Sequence, residues 1–170
     1  GGGNLGISLA KGVVQKELIR PENITLTRRN LELLHPMSAD GFKVSNANVK
    51  SVKNAAIVIL AVQPKQLGPV LSEIGEQIKT DQLIISTLAG TSISVIASQL
   101  KNKVTVVRAM PNTASAVGES MTCLAGDQNL PEEMAIAQEL FGAIGDTMVI
   151  EENLMKAATV LGASGIAVFM

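Results

Sequence analysis

The chain has 170 residues, enough for one domain or a domain and a fragment, and 46% of them are apolar, enough for a substantial core. Aromatic residues make up only 2%, with no Trp or Tyr, which argues against a stacking platform for single-stranded nucleic acid; a formal net charge of −1 leaves no basic footprint for a duplex. The single cysteine, Cys123, excludes a disulfide within one chain and suits a reducing compartment, so the expectation is a cytoplasmic protein with a buried, inert thiol.

The chain opens on Gly1-Gly2-Gly3-Asn4-Leu5-Gly6, which reads G-x-G-x-x-G. Leu5, Leu9, Gly12, Val13 and Lys16 follow at helical spacing, then Pro21-Glu22-Asn23, the apolar Ile24-Thr25-Leu26, and Arg28-Arg29. A glycine-rich turn, a helix, a strand and a distinctive side chain about 20 residues on predict a dinucleotide-binding crossover, with a purely structural glycine turn as the alternative. The first glycine makes the tight turn, the second lets backbone approach a pyrophosphate, and the third lets the helix pack close to the sheet. The helix N-terminus offers free N–H groups to the phosphates. Such a motif hangs from the end of a buried strand, and the sequence begins at the motif, so the first strand of the unit is expected to be missing. An acidic residue after the second strand would favour NAD; Arg28 and Arg29 there favour the 2′-phosphate of NADP, which guanidinium groups bind bidentately.

Strands and helices then alternate. Ala56 to Val62 is a continuous apolar run, as expected of a parallel strand covered on both faces, and Gln63-Pro64-Lys65 stops it. Leu67, Val70, Leu71, Ile74 and Ile78 mark a helix; Leu83-Ile84-Ile85-Ser86 is a strand; Ser92 is the N-cap of a short helix carrying Ile96 and Leu100. Val104 to Val107 is a strand, Met110 to Ser120 a loop, Met121 to Ala125 a strand, Pro131 to Ile144 a helix, and Thr147 to Ile150 a last strand. This rhythm predicts an α/β fold, a doubly wound Rossmann-type parallel sheet with right-handed crossovers, over residues 1–150. From Asn153 onward Leu154, Ala157, Ala158, Leu161, Ala163 and Ile166 give a helix apolar on much of its surface, which needs a partner. Residues 151–170 are expected to be an interdomain helix, the start of a C-terminal all-helical domain. The most apolar stretch, Ala157 to Met170, is too short to span a bilayer.

In a doubly wound sheet the ligand lies at the carboxyl ends of the strands. Those ends carry Ala61-Val62-Gln63-Pro64, Thr87-Leu88-Ala89-Gly90 and Arg108 to Thr113, with Met110, Pro111 and Asn112 at the tip. Small residues and prolines shape a groove there, and Asn112 and Thr113 can orient an amide or a ribose. The only histidine, His35, reads as a surface residue after a helix. Glu132-Glu133 and Glu151-Glu152 begin helices, where negative charge suits the dipole. No metal-ligand spacing and no nucleophile–base pair is present in the sequence, so a cofactor would carry the chemistry.

Taken in order, Gly1 to Gly6, Ile59 to Pro64, Arg108 to Thr113, Val117-Gly118-Glu119-Ser120-Met121-Thr122 and Gly162-Ala163-Ser164-Gly165-Ile166-Ala167 resemble the pyrroline-5-carboxylate reductases at that family's spacing. The resemblance implies hydride transfer from NADPH, or NADH, to the imine of 1-pyrroline-5-carboxylate, giving L-proline as the last step of its biosynthesis. By position it implies that Gly1, Gly3, Asn4, Leu5 and Gly6 hold the pyrophosphate and Arg28 with Arg29 the 2′-phosphate end. It implies further that Asn48 contacts the cofactor, that Ala61, Val62, Gln63, Pro64, Thr87, Leu88, Ala89, Met110 and Pro111 line the dinucleotide, and that Asn112 sits near the nicotinamide. Ser164 and Gly165 match the family's Ser-Gly turn beside the imino-acid site. The implied partners are a small imino acid and, through a helical C-terminal region, a second copy of the chain. Departures stand at Gln63 and Lys65, which exchange the family's side-chain types around Pro64, at Ala114, and at Ile166, where the family has prolines. The runner-up readings are another NADP-linked reductase of the β-hydroxyacid dehydrogenase or deazaflavin-dependent type, and a non-catalytic nucleotide-binding module.

Overall fold

The computed structural model describes residues 1–127 and 129–165. Helix α1 (Asn4–Gln15) starts directly at the glycine turn. It buries Leu9 and Val13 on one side and Ala10 on the other. Strand β1 (Thr25–Thr27) follows and pairs in parallel with β2 (Lys43–Ser45); the short α2 (His35–Ala39) lies between them. Leu26, Leu34, Met37 and Phe42 close over Ala10 as a small core beneath this pair. His35 is exposed and follows the helical turn Leu31–Leu34, and it is also the first residue of α2. Pro36, whose missing N–H costs nothing in a first turn, sets that start.

After α3 (Asn48–Val52) comes the main sheet, β3 (Ile57–Leu60), β4 (Leu83–Ser86), β5 (Thr105–Met110), β6 (Ser120–Ala125) and β7 (Gly145–Val149), in that spatial order. The crossovers are α4 (Leu67–Ile74), α5 (Ile93–Ala97) and α6 (Pro131–Gly142). β3, β4 and β5 are parallel, and so are β6 and β7. Helices α1 and α6 cover one face through Leu83, Ile85, Val107, Leu124 and Phe141. Helices α4 and α5 cover the other through Val58, Leu60, Ile84, Ile96 and Val106. Each such side chain stabilises the fold by about 1.5–3 kcal/mol relative to exposure. Burial on both faces is why β4 reads as an unbroken apolar run.

Two features differ from an all-parallel sheet. β6 is antiparallel to β5. Only the segment 111–119 joins them, and a parallel return needs a dozen or more residues. The strands also form two separate sheets, β1–β2 and β3 to β7. Gly1 and Gly2 lie between the carboxyl ends of β1 and β3: the Gly2 amide donates to the Thr27 carbonyl at 2.7 Å, and Gly1 abuts the Ala61 carbonyl. After β7 a turn at Glu152–Leu154 leads into α7 (Met155–Thr159), which continues as a wider helical turn over Val160–Gly165. The expected helix past Gly165 lies outside the described residues. Among the described residues no helix is long and apolar enough to cross a membrane.

Candidate functional site

The glycine turn ends at Gly3, which caps α1 with extended backbone (φ −85°, ψ −175°). No side chain caps this helix, no acidic residue stands in its first turn, and the first helical bond runs from the Ile7 amide to the Gly3 carbonyl at 2.9 Å. The amides of Asn4, Leu5 and Gly6 thus have no intrahelical acceptor, and they carry the positive end of the helix dipole. A Cβ at Gly1 would strike the Ala61 carbonyl and one at Gly6 the Gly1 carbonyl, whereas a Cβ at Gly3 would meet nothing within 4 Å. The turn is tight where it touches protein and open where an anion would approach. Arg28, the residue after β1, braces it, its Nη1 donating to the Gly2 carbonyl at 3.0 Å. Arg29 is exposed beside it.

A cleft of about 1870 Å³ lies between β1 and β3, lined along the whole length of both strands and by Leu9, Val13 and Leu140, and it reaches this turn at the carboxyl ends of the two strands. Gly1, Gly3, Asn4, Leu5, Gly6, Arg28, Arg29, Asn48, Ala61, Val62, Gln63 and Thr87 all line it. Asn48 is held there by Glu73, accepting from its Nδ2 at 2.9 Å, and Gln63 shares a reciprocal cap with Gln66 across Pro64. Pro64 itself does not line the cleft; it opens the turn that aims Gln63 and Lys65. Leu88 is 1% exposed and packed in the core with Ile96 and Val106, so only its backbone can face a ligand. Ala89 is exposed at the loop tip.

Met110, Pro111 and Asn112 lie beyond that cleft, at the end of β5. The turn Thr113–Val117 that follows packs against α1, which brings Asn112 to the glycine-loop side. Asn112 is fixed on both sides: its Oδ1 accepts from the Ala114 amide at 3.1 Å and its own amide donates to Ser120 Oγ at 3.2 Å. Ser120 Oγ in turn shares a hydrogen bond with Thr122 Oγ1 at 3.3 Å. Among the described residues the Asn112 Nδ2 has no acceptor, so it can donate to a carbonyl or a ribose oxygen. The C-terminal turn reaches it: a Cβ at Gly162 would lie 3.8 Å from the Asn112 Cβ. Ser164 and Gly165 belong to the same turn; the Ser164 side chain is outside what the structure describes. Cys123 sits half-buried on β6, and burial pushes its thiol pKa up. Among the described residues no group of three metal-ligating side chains occurs.

Sequence patterning misses one pair. Glu152 has a place at the start of its own helical turn, yet its Oε1 accepts from the Ile93 amide at 2.7 Å and from Arg108 Nη1 at 3.4 Å. The available signal was Arg108, one charge inside the otherwise uncharged strand Thr105–Met110, since a buried charge requires a partner.

A parallel-dominated sheet with an uncapped glycine-turn helix at its strand ends defines an α/β domain of the dinucleotide-binding architecture. The family model described as "NADP oxidoreductase coenzyme F420-dependent" matches residues 1–90, and the chain belongs to that family. It is similar along 99% of its length to pyrroline-5-carboxylate reductase 1 of Dictyostelium discoideum, with 38% identity, covering 33% of that protein. It is 36% identical to the pyrroline-5-carboxylate reductase of Methanosarcina acetivorans, over 97% of the chain and 62% of the relative. A solved pyrroline-5-carboxylate reductase from Coxiella burnetii superposes with a TM-score of 0.92 at 28% identity, over 99% of the chain and 64% of that structure. The chain thus spans between one third and about two thirds of the length of the proteins it matches.

Proposed function

We propose that the chain is the nucleotide-binding part of a reductase that converts 1-pyrroline-5-carboxylate to L-proline with NADPH. The observation that carries this reading is the convergence of the braced glycine turn and the Asn112 turn on α1, in a chain similar to such reductases over nearly its whole length. The open side of Gly3 and the unpaired first-turn amides of α1 fit a pyrophosphate, and Arg29 fits a 2′-phosphate. When bound, the cofactor supplies a hydride to the imine carbon, and a proton from solvent balances the resulting amine. The protein's own residues do the rest by placement. Arg28 holds the turn in shape, Asn112 Nδ2 offers a donor to the carboxamide end, and Ser120 with the Ala114 amide keeps that donor aimed. No strong acid is needed in this part, because the imine nitrogen is basic.

Residues 1–150 form the nucleotide-binding domain in this reading, and 151–170 begin a helical region that joins two copies. Leu154, Val160 and Leu161, the last 73% exposed, form the apolar surface that such an association would cover. The single half-buried cysteine suits the cytoplasm. The direct test is NADPH oxidation by the intact protein with pyrroline-5-carboxylate, followed at the nicotinamide absorbance, with L-proline identified as product. Binding of NADPH without turnover on any imino acid would reduce the protein to a nucleotide-binding module.

A further inference from the structure

We infer that Glu152 is a positioning residue for the reaction proposed above, tying the Thr87–Ile93 loop and the end of β5 to the helix that carries Gly162. The inference rests on that functional reading for its kinetic consequence, and on geometry for the coupling itself. Three segments meet at one carboxylate oxygen. The Ile93 amide ends the loop whose first residue, Thr87, lines the cleft. Arg108 lies on β5, two residues before Met110 and four before Asn112. Glu152 itself opens the turn into α7, whose continuation sets Gly162 against Asn112.

The contact is stiff for an electrostatic reason. The Arg108 side chain is only 7% exposed, against 36% for Glu152, and a guanidinium is always charged. Its Nε is buried with no acceptor, and Glu152 is its one ion-pair partner among the described residues. If α7 swings away, a buried cation is orphaned, which is among the costliest single events in a fold. The same swing leaves the Ile93 amide, in the first turn of α5, without its acceptor. Helix, loop and strand end therefore move together or not at all. An apolar trio at this place would pack as well, and an ion pair with one partner part-exposed is weak as a stability device against such a replacement. What the pair adds is direction, since each of its bonds fixes an angle as well as a distance. Direction matters where reacting groups must meet, because a misplacement of about 1 Å can cost on the order of 100-fold in rate.

The test uses the intact protein with Glu152→Gln, Arg108→Lys and the double variant Arg108→Met/Glu152→Leu. NADPH affinity, turnover, thermal midpoint and backbone deuterium exchange are read on each. Glu152→Gln should lower kcat about 10-fold or more while NADPH affinity stays within about 3-fold, a split that marks lost placement rather than lost binding. Exchange should rise in 87–93 and in 155–165 together. Arg108→Lys, which keeps a cation opposite Glu152, should retain most of the rate. The apolar double variant should regain the thermal midpoint of the parent but not its kcat. Recovery of both would show that the pair only stabilises, and faster exchange at Ile93 alone would show a local cap; either overturns the inference. Absence of turnover in the parent protein would defeat the reductase reading, while the exchange result would still decide whether Glu152 couples the two segments.

Discussion

The two adjacent arginines should separate in their effect on cofactor choice. Both stand where a 2′-phosphate reader belongs, but only Arg28 is engaged, its Nη1 3.0 Å from the Gly2 carbonyl, while Arg29 is exposed. A hydrogen bond to a charged group contributes about 1.5–3 kcal/mol, and roughly 1.4 kcal/mol is tenfold in affinity. Arg28→Ser removes the brace that shapes the pyrophosphate turn, and that turn serves NADPH and NADH alike. Both cofactors should therefore weaken, by about 10-fold to 100-fold, because the loss falls on their shared part. Arg29→Ser leaves the turn intact and removes one exposed charge, the one proposed to meet the 2′-phosphate. NADPH alone should weaken, by about 5-fold at low salt and less at high salt, since exposed charges are screened. Titration of intrinsic NAD(P)H fluorescence on both variants gives all four constants. The reasoning fails if Arg28→Ser costs NADPH far more than NADH, or if Arg29→Ser weakens the two equally.

Other expectations follow from single contacts. Asn112→Asp keeps an acceptor for the Ala114 amide but removes the Nδ2 donor, so kcat/KM of the intact protein should fall roughly 10-fold with NADP+ affinity little changed; unaltered turnover would remove Asn112 from the site. Gly12→Ala would set its Cβ 2.6 Å from Ile144 Cγ2 and 2.7 Å from the Ala143 carbonyl, so the thermal midpoint should fall, by an overpacking cost of about 1–3 kcal/mol; an unchanged midpoint would mean α1 can slide. Burial raises the Cys123 thiol, so the folded chain keeps its proton to higher pH than the unfolded chain does. Its contribution to stability is complete below the pKa of an ordinary thiol and declines as pH rises beyond it, and alkylation at pH 8 should be slower than for a free thiol. With Leu154, Val160 and Leu161 exposed, the 170-residue chain should self-associate with concentration, and a clean monomer in sedimentation at high concentration would refute that.

What the sequence shows of the fold depends on how much of each element's identity is local. β4 is readable residue for residue, because burial on both faces demands an unbroken apolar run. Ser92 is readable as a cap because its hydroxyl accepts from Val95, three residues on, at 3.2 Å. β2, α2 and α3 are not, being three to five residues long and half exposed, with too few positions to show a period. β2 is a strand only because β1 lies beside it. The reversed direction of β6 is likewise not written in its own residues, whose alternation would suit either orientation. It is fixed by the shortness of the 111–119 link.

The site divides along the same line. The glycine turn is legible because its geometry is backbone geometry, and backbone that must pass within contact of Ala61 and of itself admits only glycine. Asn112 is legible because a strand end followed by Pro-Asn-Thr announces a turn, and Asn side chains hydrogen-bond the backbone two residues on, as Asn112 does with Ala114. Arg28 is legible in position and not in role: the residue type suits a phosphate, but its Nη1 is committed to Gly2, 26 residues away in sequence. Glu152 is the extreme case. A glutamate at the start of a helical turn has a complete local explanation in the dipole of its own helix, and nothing nearby hints at Ile93, 59 residues away. Only the isolated Arg108 in its apolar strand asks the question that Glu152 answers. In this chain, groups that make the proposed binding surface are local and readable, whereas groups that hold its parts in register act across long sequence separations. Reading them from sequence means starting at the buried charge and asking which distant carboxylate the fold must bring to it.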